Sequence, residues 1–179
     1  MHRGFLGSLL ILRSEISLFV GVATIVAVAA LPSAFAQSAI EHHVWQDART
    51  FKPFSRTAIA ITGPITLSGN QNFAEVGSAL QISFEGGTPI ELVSQGASWR
   101  EWQLVEGKQT AETFQVTTNP GPLLNGNTVC SDDLSYLVFS EGNLLGTGMT
   151  LEVAAFSGTK PPFDINSSGL CGTFSFSVK

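Results

Sequence analysis

Four residues near the start of the chain have side chains that could bind a divalent metal ion or take part in hydrolysis. Glu41, His42, His43 and Asp47 include two of the three histidines in the protein. Adjacent histidines point in different directions in both a helix and a strand, whereas a tight metal site needs three or four convergent ligands. The pattern therefore predicts an exposed, mobile arm and no metal site, and a metal-binding role for the histidine pair is the alternative.

The adjacent acidic residues Asp132 and Asp133 are the other candidates for hydrolysis or calcium binding. Neighbouring side chains of a strand face apart, but glycoside hydrolysis needs two carboxyl groups that face each other across the substrate. The sequence also contains no Gly-x-Ser-x-Gly, phosphate-loop, His-Glu-x-x-His or EF-hand pattern. We therefore predict a turn or the start of a strand at this pair, no catalytic residue and no cofactor.

Trp99 and Trp102 are the residues most suited to contact with a ligand or partner. Residues three apart in a strand lie on opposite faces, so one of the two indoles is predicted to be in the core and the other exposed or at an edge. An exposed tryptophan can stack on a sugar or pack on a partner protein, because tryptophan is enriched at interaction hot spots.

Cys130 and Cys171 are the two cysteines of the chain. An even count with wide spacing and no Cys-x-x-Cys motif is typical of a structural disulfide formed in an oxidising compartment. The bridge would close a loop of about 40 residues and contribute roughly 3–4 kcal/mol to stability. It also predicts that the strand after Cys171 lies near the strand at residues 134–140.

Residues 1–36 have the layout of a secretion signal. Arg3 and Arg13 precede an uncharged apolar run at residues 16–31, and an Ala-x-Ala motif ends at Ala36. We predict cleavage after Ala36, and a retained membrane anchor is the alternative, because the apolar run approaches the length that spans a bilayer. The mature chain is then expected in the periplasm or outside the cell, without membrane attachment.

The charge of the chain argues against a nucleic-acid partner. The formal net charge is −5, and loss of the signal removes Arg3, Arg13 and Glu15, which leaves −6. A negative surface repels a phosphate backbone, and no cluster of lysine and arginine is present in the sequence. The expected partner is instead a periplasmic protein or a small ligand.

Alternation of apolar and polar residues predicts a β protein. Leu80, Ile82 and Phe84 alternate with polar residues, as do Phe174, Phe176 and Val178 near the end of the chain. Turn residues separate such segments at intervals of roughly 8–12 residues, and no long helical period follows residue 37. The predicted strands cover residues 57–62, 65–67, 80–84, 90–93, 99–106, 111–117, 134–140, 149–155 and 173–178.

These patterns predict an all-β fold after the signal peptide. We expect one antiparallel sandwich or small barrel of about eight to ten short strands. The predicted domain organisation is a signal peptide at residues 1–36, an N-terminal arm at residues 37–55 and a β domain at residues 56–179.

Several short motifs resemble a family of small uncharacterised exported bacterial β-proteins of unknown function. The motifs are Ala60-Ile61-Thr62-Gly63-Pro64-Ile65, Leu124-Asn125-Gly126-Asn127, Ala155-Phe156-Ser157-Gly158 and Cys171-Gly172-Thr173-Phe174. The resemblance covers most of the mature chain. It implies a periplasmic address and a bridge between the two cysteines, and it carries no activity.

The sequence favours a non-enzymatic binding module over an enzyme. Loops are where β scaffolds carry function, and the two loops richest in turn residues lie at residues 119–127 and 159–169. The alternative is a periplasmic hydrolase or metal-binding protein that combines acidic residues with the His42-His43 pair.

Overall fold

The computed structural model of the protein describes residues 42–69, 72–102, 107–144 and 148–178. The predicted signal peptide and its cleavage point after Ala36 lie outside the described residues. Among the described residues, no helix combines the length and the apolar character needed to cross a membrane.

Eight antiparallel strands form a closed barrel in which each strand pairs with the next along the chain. The strands are β1 (Arg49–Pro53), β2 (Ile65–Gly69), β3 (Ala79–Phe84), β4 (Ile90–Arg100), β5 (Gln109–Val116), β6 (Leu134–Leu144), β7 (Gly148–Ser157) and β8 (Leu170–Ser177). β8 pairs with β1 and closes the barrel. The all-β prediction is confirmed, and the closure decides between the barrel and the sandwich.

The alternating apolar residues fill the interior of the barrel. In β3, Leu80, Ile82 and Phe84 are buried and Gln81 is exposed, because successive side chains of a strand point to opposite faces. In a barrel of eight strands, side chains are large enough to occupy the space inside. The largest fully buried side chains of this core are Trp45, Phe51, Phe139, Phe174, Phe176, Ile65, Leu67, Ile82, Leu92, Leu137 and Leu151.

Through a bulge, β4 joins the strand predicted at residues 90–93 to the first two residues of the strand predicted at residues 99–106. Residues 103–106 of that prediction lie outside the described residues. Ser94 pairs with Phe114, but the next aligned pair is Ala97 with Glu112, so β4 carries one extra residue. Gly96 lies within the bulge with φ = 97°, a backbone conformation that suits glycine. The extra residue reverses the alternation and directs Arg100 to the outside of the barrel.

Residues 57–62, predicted as a strand, form a π-helical turn at Ala58–Thr62 instead. The amide of Ala58 donates to Ser55 Oγ, and the Thr62 hydroxyl donates back to the carbonyl of Ala58. Such local bonds between side chain and backbone compete with strand pairing. They outweigh the β preference of the isoleucines and threonines in this segment.

The β structure begins earlier than the predicted domain boundary at residue 56. Val44–Gln46 forms a 3₁₀ turn and Arg49–Pro53 is the first strand of the barrel. Phe51 is fully buried, which explains why this segment belongs to the barrel rather than to a separate arm.

The Cys130–Cys171 disulfide is present, with the two Cα atoms 5.1 Å apart. It joins the loop that precedes β6 to the start of β8. β6 and β8 are close in space as predicted, but each pairs with β7, which lies between them.

A second apolar cluster lies outside the barrel wall and is covered by the loop between β7 and β8. The amide of Ile165 in this loop donates to the carbonyl of Glu101, 2.8 Å away. Because this loop covers the outer face of the barrel wall, strands β5 to β7 have buried side chains on both their inner and outer faces. Its members are Trp102, Ala111, Tyr136, Val138, Ala154, Phe156 and Ile165.

Candidate functional site

One end of the barrel is closed by residues 43–46. Trp45 is fully buried and belongs to the interior core. Its neighbours His43 and Val44 are also buried, and the amide of His43 donates to the side-chain oxygen of Gln46 at 2.8 Å. This segment covers the end of the barrel, and we refer to residues 43–46 as the plug.

A buried carboxylate holds the plug in place. Glu112 is 1% exposed and accepts hydrogen bonds from Trp45 Nε1 at 2.9 Å and from Ser94 Oγ at 2.5 Å. The backbone amide of Ala74 donates to the same carboxylate at 3.1 Å. Three separate parts of the chain therefore meet at Glu112. Together their donors satisfy the acceptor sites of the buried carboxylate, which would otherwise be costly to bury.

His43 is part of the same closed end and not of a mobile arm. Its ring stacks on Trp45 with centroids 4.4 Å apart and contacts the ring of Phe73 at the same distance. His43 Nδ1 lies 3.5 Å from Glu141 Oε1, which also accepts the amide of Val44 at 2.8 Å. The prediction of an exposed arm is wrong for His43, since Phe73 and Glu141 from distant segments pack beside its ring together with the neighbouring Trp45.

His42 is exposed, as predicted, and it contacts Asp47. His42 Nε2 donates to Asp47 Oδ1 at 2.9 Å, and Arg49 Nη1 lies 3.3 Å from the other carboxylate oxygen. The hydrogen bond from His42 is the main reason why the pKa of the Asp47 carboxyl lies below its ordinary value; partial burial opposes this effect, and the Arg49 bond adds to it.

We expect the His42→Ala substitution to raise the pKa of Asp47 toward the ordinary aspartate value. A lowered pKa means that the Asp47 contacts stabilise the fold at neutral pH and that this contribution is lost as the pH falls through the folded-state pKa. An NMR titration of the Asp47 carboxyl in both proteins measures the change. Arg49→Gln should raise the pKa less, and an unchanged pKa in His42→Ala would contradict the assignment.

The described residues contain no group of three or more histidine, cysteine, aspartate or glutamate side chains arranged to hold a metal ion. The acidic residues Asp132 and Asp133 are exposed and lie in the loop that leads directly into β6.

The loop that precedes β6 lines a surface cleft with a volume of about 570 Å³. The walls of this cleft are residues 119–122 and 128–134. Asn119 Nδ2 donates to Asp133 Oδ1 at 2.8 Å, which connects the two walls, and the cleft contains the disulfide-bonded Cys130. We call this the proline cleft, after Pro120 and Pro122.

A smaller hollow of about 300 Å³ adjoins the proline cleft. Asn119, Asp133 and Leu134 line both spaces, so the Asn119–Asp133 hydrogen bond forms the ridge between them. A ligand that crosses this ridge would contact both spaces.

The loop at residues 159–169 lines another cleft, with a volume of about 250 Å³, together with the bulge of β4. Arg100 and Phe163 face each other there, and the Arg100 Cζ atom lies 4.6 Å from the centre of the Phe163 ring. We call this space the arginine cleft. Both loops predicted to carry function therefore line clefts.

The two predicted contact residues lie in different environments. Trp99 is 58% exposed at the end of β4, whereas Trp102 is 3% exposed and packs edge-on against Phe156 with ring centroids 6.4 Å apart. One buried and one exposed indole is the arrangement that the strand alternation predicts. Trp99 is thus the one of the two whose indole is accessible to a ligand.

Glu112 and Arg100 were not identified from the sequence as functional candidates. A signal for Glu112 exists, because it lies two residues before Phe114 and four before Val116 and so shares their buried face. The sequence pattern does not identify Arg100 in this way, because the direction of its side chain depends on the bulge in β4.

No protein family, curated protein or solved structure matches this chain. The resemblance to exported bacterial β-proteins stays a prediction.

Proposed function

We propose that this is an exported, non-enzymatic binding module that recognises a partner through its loops at residues 119–127 and 159–169. The observation that carries the proposal is that both loops line surface clefts, while the interior of the barrel is filled with side chains. The disulfide supports export, because such bridges persist in oxidising compartments.

The proline cleft is built on backbone that is held from several sides. The amide of Leu123 donates to the carbonyl of Asn127 at 2.7 Å, and Asn127 Nδ2 donates to the carbonyl of Ala60 in the π-helical turn. The Cys130–Cys171 bridge fixes the other wall. Such preorganisation favours binding because less conformational entropy is lost when the ligand arrives.

The lining of the proline cleft indicates the chemistry of its ligand. Val129 and Leu134 are apolar, Asp132 and Asp133 carry exposed carboxylates, and no lysine or arginine is among the residues that line the cleft. A ligand with hydrogen-bond donors and a small apolar part fits these walls. An anionic ligand would be repelled by the carboxylates.

The positions of the histidines and the acidic pair favour binding over hydrolysis. β6 runs from Leu134 at the proline cleft to Glu141 beside His43, so the two groups lie at opposite ends of the barrel. Seven residues of strand extend roughly 24 Å. General acid–base catalysis needs groups within hydrogen-bond reach of one substrate, and His43 and Asp133 are too far apart to act together.

We expect arrays of peptides and glycans to yield ligands whose binding depends on Asp133. The Asp133→Ala substitution should weaken such binding about tenfold or more, since hydrogen bonds to charged groups contribute roughly 1.5–3 kcal/mol. Glu101→Ala, which removes an exposed carboxylate at the other end of the barrel, serves as the matched control.

Mass spectrometry of the recovered ligand separates the two hypotheses. A binding module releases the ligand with its mass unchanged, whereas a hydrolase releases cleaved products. Binding that is equally strong in Asp133→Ala and wild type would refute the proline cleft as the site, and turnover would refute the binding module.

A further inference from the structure

The arginine cleft contains the guanidinium group of Arg100. Residues 95–98, Arg100, Thr113 and residues 161–163 line the cleft, and none of them is acidic. No ion pair joins Arg100 to any other described residue. In a protein of net charge −5, an arginine in a cleft whose described lining holds no acidic residue can pair with an anionic group.

The hydrogen bonds of the Arg100 guanidinium leave part of its donor capacity unused. Nη1 donates to the carbonyl of Trp99 at 2.8 Å. Nε is buried and has no hydrogen-bond partner among the described residues. Because Nε is closed to solvent, an incoming carboxylate would pair with the terminal nitrogens of the guanidinium, whose charge no residue lining the cleft balances.

The position of the guanidinium is restrained by Phe163 and by the bulge in β4. Phe163 supports its planar face at 4.6 Å, and the bulge in β4 directs the side chain outward. The loop that carries Phe163 is held in turn by Ser167 Oγ, which accepts the amides of Phe163 and Asp164 at 2.8 and 3.1 Å. Less freedom is therefore lost when an anion binds.

The remaining walls of the cleft indicate what accompanies the anionic group. Pro161, Pro162 and Phe163 form an apolar wall, and Phe163 is 64% exposed. Exposed apolar surface of this kind favours an apolar side chain next to the charge. A polyanion is disfavoured because the protein as a whole is negative, which leaves a ligand with one carboxylate.

We propose that the arginine cleft binds the C-terminal carboxylate of a peptide whose last side chain is apolar. The carboxylate pairs with Arg100, and the side chain packs on Phe163 and Pro162. This inference rests on the proposed function as a binding module and names the ligand class of its second loop.

An array of fluorescent pentapeptides that vary the last residue, each made as the free acid and as the C-terminal amide, tests the assignment. The free acids with apolar last residues should bind about tenfold or more tightly than their amides. Arg100→Gln should abolish this preference. Arg56→Gln removes an equal charge from an exposed site outside the cleft and should retain it.

Equal affinity for acids and amides, or no binding of any free acid, would overturn the carboxylate assignment. Glucuronic acid serves as a competitor to test whether the cleft binds an acidic sugar instead of a peptide. Displacement of the peptides by an equal concentration of glucuronic acid would also overturn the peptide assignment. The comparison of acid with amide uses the wild-type protein, so it does not depend on the folding of a variant. A preference for acids that persists in Arg100→Gln would place the site elsewhere and leave the proline cleft unaffected.

Discussion

Replacing Glu112 by alanine is expected to lower the free energy of unfolding by about 3–5 kcal/mol. The substitution leaves the donors Trp45 Nε1, Ser94 Oγ and the Ala74 amide without their common acceptor in a buried site. Urea denaturation followed by tryptophan fluorescence measures the loss, and the buried Trp45 of the plug is one of the three tryptophans that contribute to the signal.

Two further variants make this expectation specific to the hydrogen bonds. Glu112→Gln keeps the shape and an acceptor oxygen, but its amide group cannot accept from every donor, so a smaller loss of about 2 kcal/mol is expected. Glu91→Ala removes an exposed glutamate of β4 and should change stability by no more than about 0.5 kcal/mol. If Glu112→Ala were as stable as wild type, the carboxylate would not be what retains the plug.

Removing the disulfide is expected to lower the free energy of unfolding by about 4 kcal/mol. The bridge closes a loop whose ends are 41 positions apart, and its main effect is to restrict the unfolded chain. The Cys130→Ser, Cys171→Ser double variant and the wild type in reducing buffer should show the same loss in urea denaturation.

The double variant in reducing buffer provides the control, because it has no bridge left to reduce. Its stability should be the same with and without reductant. A wild-type protein that loses less than about 1 kcal/mol on reduction would show that the unfolded chain is already compact around these two residues.

The strands were predictable where alternation is regular, and the errors have local causes. Phe174 and Phe176 are buried in β8, as their spacing indicates. The segment at Ala58–Thr62 has the composition of a strand, but Ser55 Oγ accepts the amide of Ala58 and the Thr62 hydroxyl donates to the carbonyl of Ala58, and these bonds hold the segment in a helical turn. Composition cannot show which of two compatible backbone conformations these bonds select.

Of the candidate sites, the contrast between the two tryptophans was predictable from the sequence and the plug was not. One buried and one exposed indole were predicted for Trp99 and Trp102, and the structure has Trp99 exposed and Trp102 in a core, although Trp102 lies just beyond the end of β4. The plug did not follow from local pattern, because His43 is buried by Phe73 and lies beside Glu141, which are 30 and 98 positions away. Contacts of this range depend on the closure of the barrel.

The sequence by itself determined that this chain forms short antiparallel strands with one apolar face and that its two cysteines can pair, because side-chain alternation and turn chemistry act over a few residues. Only the tertiary structure decided that the strands close into a barrel, that Glu112 holds the plug and that Arg100 faces a cleft. These features depend on the pairing of β1 with β8 and on a single extra residue in β4, and both arise from contacts between distant segments of the chain.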